Sequence, residues 1–267
     1  MIPDSTRIAD TFRDLRTRGS KAYVGYVMPG FPDEAASRKL AEGLLKEGTD
    51  LLEIAIPFSD PIADGVTIQR CSEIALANGG GTAMSLRLLK TLRPLTQKPL
   101  LLMTYLNPVL AHGAEAFARE AAKAGADGII IPDLTPEEAP ELGKAFKAVG
   151  MDIVFLAAPT STPARLQKIA SAASGFIYMV SVAGVTGERS GFDPRLSSAI
   201  GALKRACALP VVVGFGVSSP ETARLAAAKA EGVVAASTVL KMLLEGRGLA
   251  PALAHARSLI HAAHGAR

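Results

Sequence analysis

Leu51-Leu52-Glu53-Ile54-Ala55-Ile56-Pro57-Phe58-Ser59-Asp60-Pro61-Ile62-Ala63-Asp64-Gly65 is the stretch that decides the fold. It is an apolar run with one carboxylate, followed by a turn-rich segment with two more. Because side chains alternate along a strand, Glu53 is expected to share a buried face with Leu51 and Ala55. Pro57 lacks a backbone N–H and cannot continue a central strand. We therefore expect Asp60 and Asp64 beyond the strand's carboxyl end, where three carboxylates can meet.

Each of these acids also has a structural interpretation. Glu53 is compatible with a strand carboxylate at the sheet margin that a nearby Lys or Arg neutralises. Asp60 and Asp64 lie in or near a Ser-Asp-Pro turn, where an aspartate commonly caps its own backbone. The rest of the chain has to decide between these interpretations and a functional site.

Composition excludes several classes of protein. The 267 residues are 49% hydrophobic and suit either two small domains or one α/β barrel. Lys and Arg number 29 against 25 Asp and Glu, an excess too small and too scattered to indicate nucleic-acid binding. No apolar run approaches the roughly 18 residues of a membrane span, and we expect no membrane association.

The two cysteines, Cys71 and Cys207, have no paired spacing. Neither a disulfide framework nor a metal site is indicated, so the prediction is a reducing, cytoplasmic location with no metal.

Eight short apolar runs alternate with amphipathic helical patterns after a first helix that Ser5 is expected to cap. The runs cover residues 22–28, 50–56, 99–105, 127–131, 151–157, 175–182, 210–215 and 231–236. Four cap-proline pairs at intervals of 26 to 31 residues predict helix starts: Thr135-Pro136, Thr162-Pro163, Asp193-Pro194 and Ser219-Pro220.

That interval is one strand-helix unit. No Gly-x-Gly-x-x-Gly follows the first strand, so a doubly wound sheet is disfavoured. The prediction is an α/β fold, a (βα)₈ TIM barrel with an additional N-terminal helix, as one domain over residues 1–267.

In this fold the active site lies at the carboxyl ends of the strands, and phosphate commonly binds after strands seven and eight. Gly214-Phe215-Gly216 follows strand seven, and Ala236-Ser237-Thr238 follows strand eight and can open a helix. Free N–H groups at such starts bind phosphate without an obligatory cation. The glycine-rich segment 183–191 after strand six is interpreted as a lid, and Tyr178 is expected to point inward.

Pro57-Phe58-Ser59-Asp60-Pro61-Ile62-Ala63-Asp64-Gly65 resembles the signature of the tryptophan synthase alpha chain family. Further segments resemble its motifs across nearly the whole chain: 102–105 with Asn107-Pro108, 131–134, 158–162, Ser181 with Gly184-Val185-Thr186-Gly187, and Gly214-Phe215-Gly216. The resemblance implies retro-aldol cleavage of indole-3-glycerol phosphate to indole and glyceraldehyde 3-phosphate, without a cofactor. It also implies a beta subunit partner, in an α₂β₂ heterotetramer, that joins indole to serine.

The resemblance also implies roles for individual residues. Glu53 matches the catalytic glutamate and Asp64 the aspartate that binds the indole N–H. Pro57 and Asp60 fall at the beta-chain contact. The substrate-binding positions implied are Tyr105, Tyr178, Thr186, Gly187, Phe215, Gly216, Ala236 and Ser237. Residue chemistry agrees: a desolvated Glu53 is expected to have a raised pKa and act as acid and base, while Asp64 stays ionised.

Five positions depart from the family pattern: Met28, Ala55, Thr135, Ala183 and Ala236. Thr135 makes a suitable helix cap with Glu138. Met28 removes a hydroxyl near the active rim, and Ala236 adds a methyl where a backbone N–H is expected to approach phosphate. Both changes are expected to weaken binding or coupling rather than abolish function, because Glu53 and Asp64 remain.

Three alternatives stay open at this point. One is a free-standing lyase that releases indole without a partner. Another is a non-catalytic barrel that only activates its partner. Other phosphate-binding barrels, such as sugar-phosphate isomerases, share the last two loops but leave the segment from Glu53 to Asp64 unexplained.

Overall fold

Eight parallel strands close into a barrel in chain order, and the last pairs with the first. The computed structural model describes residues 6–180, 194–214 and 216–266. The strands are β1 (Ala22–Val27), β2 (Leu51–Ala55), β3 (Leu100–Met103), β4 (Gly128–Ile130), β5 (Asp152–Ala157), β6 (Ile177–Val180), β7 (Val211–Gly214) and β8 (Gly232–Val234). Each lies within its expected apolar run, so the predicted (βα)₈ barrel is confirmed.

Helices connect the strands and surround the barrel. They are α1 (Arg7–Thr17), α2 (Glu34–Glu47), α3 (Val66–Ala77), α4 (Thr82–Leu92), α5 (Leu106–His112), α6 (Ala114–Ala124), α7 (Ala139–Ala148), α8 (Pro163–Ala172), α9 (Pro194–Ala206), α10 (Pro220–Ala227), α11 (Ser237–Leu244) and α12 (Leu249–His264). A 3₁₀ turn, Arg93–Leu95, follows α4.

Two of the predicted cap-proline pairs begin helices as expected. Thr162 caps α8 through the N–H of Arg165, and Ser219 forms a capping box with Thr222 at α10. Asp193 lies outside the described residues, although α9 does begin at Pro194.

The predicted helix start at Thr135-Pro136 was wrong, because α7 begins at Ala139, three residues after Pro136. Glu138 does reach back to the N–H of Thr135, at 3.3 Å, so the local capping contact forms. Pro140 is the physical reason for the later start: it has no N–H to donate to the carbonyl of residue 136, so the turn at 136–138 does not continue as α-helix.

Helix α1 closes the amino-terminal end of the barrel. Its Ile8, Phe12 and Leu15 are buried against inward-facing side chains of the strands, among them Leu51 and Val154. The cap is Thr6 rather than the expected Ser5. The reason is that the Thr6 hydroxyl both accepts from the N–H of Ala9 and donates to Asp152 at 2.7 Å.

An ion pair holds the same helix at the barrel floor. The guanidinium of Arg7 lies 2.7 Å from Asp127, and Arg93 contacts the second oxygen of that carboxylate at 2.8 Å. Glycines make the close packing possible, since a Cβ on Gly128 would lie 3.0 Å from Ile8. Because α1 fills the amino-terminal end of the barrel, a binding site is expected at the carboxyl end.

Candidate active site

The loop after β2 folds back over the mouth of the barrel. Pro57 is buried, and the backbone N–H of Phe58 donates to the hydroxyl of Ser72 at 3.0 Å. That hydroxyl in turn donates to the carbonyl of Phe58 at 2.9 Å, so the loop is fixed to α3 at both backbone groups. The loop then returns toward the barrel at Asp64.

Tyr105, at the start of α5, holds the returning part of this loop. Its hydroxyl accepts the backbone N–H of Ala63 at 3.0 Å and hydrogen-bonds with the Asp64 carboxylate. Its ring lies 5.5 Å from that of Phe58, and the side chain is buried. Asp133 accepts the N–H of Leu106 at 2.9 Å and so fixes the start of α5. Asp64 is thus positioned from a neighbouring strand-helix unit.

Glu53 is fully buried on the inner face of β2, between Tyr26 of β1 and Leu101 of β3. Neither carboxylate oxygen has a hydrogen-bond partner within the part of the chain that the structure describes. This disfavours the structural interpretation, which requires a neutralising Lys or Arg. Burial first, and then the charge of Asp64, raises the pKa of Glu53 to about 8.

Asp64 is partly buried, and burial raises its pKa to about 6, against the lowering effect of the Tyr105 hydrogen bond. At neutral pH Glu53 is therefore mostly protonated, while Asp64 is mostly ionised. Two carboxyl groups with separated pKa values at one site are the arrangement that acid–base catalysis requires.

The third carboxylate, Asp60, does not join them. It is exposed and accepts a hydrogen bond from the hydroxyl of Ser59. Ile62 on the same loop and Val66, the first residue of α3, are 80% and 81% exposed. The structure thus separates the loop into an inner part, which faces the barrel, and an outer part.

Tyr178 points into the barrel from β6, as predicted, and is almost fully buried. Burial, followed by the charges of Glu53 and Asp64, raises the pKa of this phenol well above its usual value, so it remains a donor. The space for its ring depends on Gly214 of β7. A Cβ there would lie 2.2 Å from the Cε1 atom of Tyr178.

The two segments expected to bind phosphate both follow barrel strands. Gly216 has φ of +78°, which a residue with a side chain rarely adopts. Ala236 is the N-cap of α11 and provides no side-chain cap, so the first N–H groups of the helix, beginning at Ser237, lack intrahelical partners. Ala236 itself has φ of −96°, so the methyl group causes no backbone strain.

Several predicted site positions lie outside the described residues. They are Thr186, Gly187 and Phe215, together with the departure at Ala183 and the expected lid at 183–191. Met28, the other departure of interest, is buried and lines the mouth of the barrel near Asp64.

Two wall residues were missed from the sequence. Tyr26 projects inward beside Glu53, and simple alternation from Ala22 and Val24 along β1 is the signal that would have identified it. Thr104, at the end of β3, is buried, and its hydroxyl has no partner among the described residues. No periodic signal marks Thr104, because it follows the last strand residue.

The described residues contain neither a cluster suited to a metal ion nor a helix suited to a bilayer. In ranges 6–180, 194–214 and 216–266 no cluster of His, Cys, Asp and Glu is suited to a metal ion. None of the helices in those ranges has the length and apolar character that a bilayer span requires.

The described residues form a closed (βα)₈ barrel in which a buried glutamate, with no hydrogen-bond partner among them, lies near a second carboxylate at the carboxyl rim. These features define a barrel enzyme of the acid–base type. A family model described as Tryptophan synthase alpha chain matches residues 12–261. The chain belongs to the tryptophan synthase alpha chain family, which acts as a lyase in tryptophan biosynthesis.

Individual relatives agree with the family model. The tryptophan synthase alpha chain of Geobacter sulfurreducens is 46% identical over 237 residues, 89% of this chain and 90% of that one. The alpha chain of a Roseiflexus species is 44% identical and covers 95% of this chain and 99% of its own. A solved tryptophan synthase from Mycobacterium tuberculosis superposes with a TM-score of 0.90 at 36% identity, covering 98% and 99% of the two chains.

Proposed function

We propose that this chain catalyses the alpha reaction of tryptophan synthase, the retro-aldol cleavage of indole-3-glycerol phosphate to indole and glyceraldehyde 3-phosphate. Residues 1–267 act as one barrel domain in the cytoplasm, without a metal or organic cofactor. The indole passes to a beta subunit within an α₂β₂ heterotetramer. Family membership supports the reaction, and the relatives named as tryptophan synthase support the partner.

The observation that carries the proposal is the state of Glu53. With a pKa of about 8, this buried carboxyl holds a proton at neutral pH. Among the described residues neither of its oxygens has a hydrogen-bond partner. Burying such a group lowers the stability of the fold, so its presence favours a functional role over a structural one. The barrel mouth above it is where the substrate's indole ring is accommodated.

Glu53 and Asp64 divide the proton transfers. Glu53 donates its proton to indole C3, and the ionised Asp64 hydrogen-bonds the ring N–H, which becomes more acidic as positive charge develops on the ring. The Glu53 carboxylate then accepts the proton of the substrate hydroxyl on the carbon that is bonded to indole C3. The bond between indole C3 and the side chain then breaks. The oxygen becomes the aldehyde oxygen of glyceraldehyde 3-phosphate, and the electron pair of the broken bond returns to the ring and restores neutral indole. Glu53 ends protonated, as it began.

The remaining proposed site residues orient the substrate. Tyr178 remains protonated and donates a hydrogen bond within the pocket, and Tyr105 holds Asp64 in place. Phosphate binds between Gly216 and the N–H groups that begin at Ser237, with Ala236 alongside. Thr186, Gly187 and Phe215 complete the proposed substrate-binding set.

The outer part of the β2–α3 loop supports the proposed partner contact. Asp60 and Ile62 are exposed on this loop, and Val66 is exposed at the start of α3. Pro57 is buried, so of the two residues assigned to the partner contact only Asp60 is accessible. Exposed apolar side chains on or next to a loop that also carries Asp64 provide a route from a docked beta chain to the site.

Indole release from indole-3-glycerol phosphate by the purified chain, alone and with a beta chain, tests the proposal. We expect slow release alone and a clear acceleration with the beta chain. Equal release in both conditions would favour the free-standing lyase. Absence of indole in both conditions, with the beta reaction still accelerated, would identify the chain as a non-catalytic activator.

A further inference from the structure

A hydrogen-bonded chain of three residues connects the two segments proposed to bind phosphate. Thr238, the second residue of α11, lies with its Oγ1 atom 3.0 Å from Nε2 of His255 on α12. The same oxygen lies 3.5 Å from the backbone carbonyl of Ser218, two residues after Gly216. The contact between Thr238 and His255 is partly buried, whereas the contact between Thr238 and Ser218 is exposed.

The loop after β7 is already fixed on its own side. The backbone N–H groups of Ser218 and Ser219 both donate to the hydroxyl of Thr222 at 3.0 Å, within the capping box of α10. The start of α11 has no equivalent anchor, because Ala236 supplies no side-chain cap. Buried Val239 and Leu240 anchor α11 along its length, and the hydrogen bonds of Thr238 connect its first turn to the loop of Gly216 and to α12.

The number of protons that the Thr238 hydroxyl can donate determines whether His255 is the donor or the acceptor in this arrangement. A threonine hydroxyl has one proton to donate and two lone pairs to accept with. If Thr238 donates to His255, nothing joins it to Ser218. If Nε2 of His255 carries the ring proton, the imidazole donates to Thr238, and the hydroxyl proton is free for the Ser218 carbonyl.

We propose that His255 is a positioning residue for phosphate binding: by donating from Nε2 to Thr238, it directs that hydroxyl to Ser218 and holds α11 in register with the Gly216 loop. The inference rests on the proposed phosphate site. His255 contacts neither the substrate nor the reacting atoms, so its effect is on affinity rather than on the chemical step.

Two substitutions at His255 test the role. His255→Leu removes the donor and is expected to raise the Kd for glycerol 3-phosphate and the KM for substrate about three- to tenfold, with kcat nearly unchanged. His255→Gln places an amide N–H near the Nε2 position and is expected to keep most of the affinity. His261→Gln, at an exposed position on the same helix, is the matched control and is expected to bind like the wild type.

A double-mutant cycle separates this role from simple packing. Thr238→Val is expected to weaken glycerol 3-phosphate binding as much as His255→Leu, and the double variant no further. Additive losses would overturn the proposal. So would wild-type affinity in His255→Leu, or a His255→Gln variant as weak as His255→Leu.

Gly216→Val distinguishes this inference from the phosphate placement on which it rests. If Gly216→Val leaves glycerol 3-phosphate affinity unchanged, the phosphate site is elsewhere and both statements fall. If Gly216→Val loses affinity while the His255 and Thr238 variants keep it, only the role of His255 falls.

Discussion

Glu53 and Asp64 show how two carboxyl groups on one segment acquire different chemistry. Asp64 follows Glu53 by eleven positions in the sequence, yet the folded loop brings their charges into interaction. Glu53 is fully buried and has no hydrogen-bond partner in the part of the chain that the structure describes. Asp64 is partly buried and hydrogen-bonds with the Tyr105 hydroxyl. The environment, not the residue type, decides which one holds a proton at neutral pH.

The two pKa values predict a bell-shaped pH profile for kcat/KM. Activity is expected to rise as Asp64 loses its proton through about pH 6 and to fall as Glu53 loses its proton through about pH 8. Steady-state kinetics between pH 5 and pH 9.5 measure both limbs. Asp64→Asn, which keeps the shape but cannot ionise, is expected to lower turnover and to lack the acidic limb. A profile that is flat between about pH 6 and pH 9 would contradict the assignment.

Alternation along β2 was enough to predict that Glu53 is buried, and the prediction is confirmed. The sequence did not show that Asp64 is held by Tyr105, because that contact joins loops from different strand-helix units. The strand pattern also grouped Asp60 with the other two carboxylates, and only the family resemblance placed it at an outward contact. Contacts of this kind depend on the path of a loop, which local propensities do not determine.

At the level of elements, the packing of β6 against β7 requires glycine at position 214 of β7. A Cβ on Gly214 would overlap the ring of Tyr178 on the neighbouring strand. The sequence offered Gly214 as part of a phosphate-binding turn. In the structure, glycine is required at this position because the inward-pointing ring of Tyr178 occupies the space of a side chain.

We predict that Gly214→Ala displaces Tyr178 and lowers cleavage on the order of 10- to 100-fold while the barrel stays folded. Rates of indole formation and circular dichroism measure the two effects. Gly143→Ala on α7 is the control, because its Cβ would meet only Ile153, at an ordinary 3.5 Å. Normal activity in Gly214→Ala would show that the position of Tyr178 does not matter.

The whole molecule is organised with stability at one end of the barrel and chemistry at the other. Helix α1 fills the amino-terminal end with Ile8, Phe12 and Leu15, and the proposed site lies at the carboxyl end. Strand-helix alternation predicted the barrel, and the helical spacing of Ile8, Phe12 and Leu15 after a capping residue predicted the first helix. The sequence did not predict that α1 packs against the amino-terminal end of the barrel, since the apolar face of a helix does not show which element it contacts.

Ile8→Ala is predicted to lower the free energy of unfolding by about 2–5 kcal/mol, because a fully buried side chain is truncated to leave a cavity. Urea unfolding measures the change. Arg16→Ala, at an exposed position of the same helix, is expected to change stability by less than about 0.5 kcal/mol. Under folding conditions the Ile8 variant should keep its kcat, and a large loss of kcat would show that the two ends are coupled.

The partner contact is a property of the assembled molecule. Asp60→Ala is predicted to reduce the acceleration that a beta chain gives to indole release, with intrinsic cleavage changed much less. Titrating the variant with beta chain measures the acceleration, and Glu73→Ala, an exposed acid on α3, serves as the control. Full activation of the Asp60 variant would place the contact elsewhere.

The most direct test of the account is single-turnover cleavage by Glu53→Gln, measured beside the affinity for glycerol 3-phosphate. Gln keeps the size of the side chain but holds no transferable proton, so we expect near wild-type affinity and a loss of cleavage on the order of 10²-fold or more. Near-normal cleavage in a variant that binds normally would contradict the assignment of Glu53 as the acid–base catalyst.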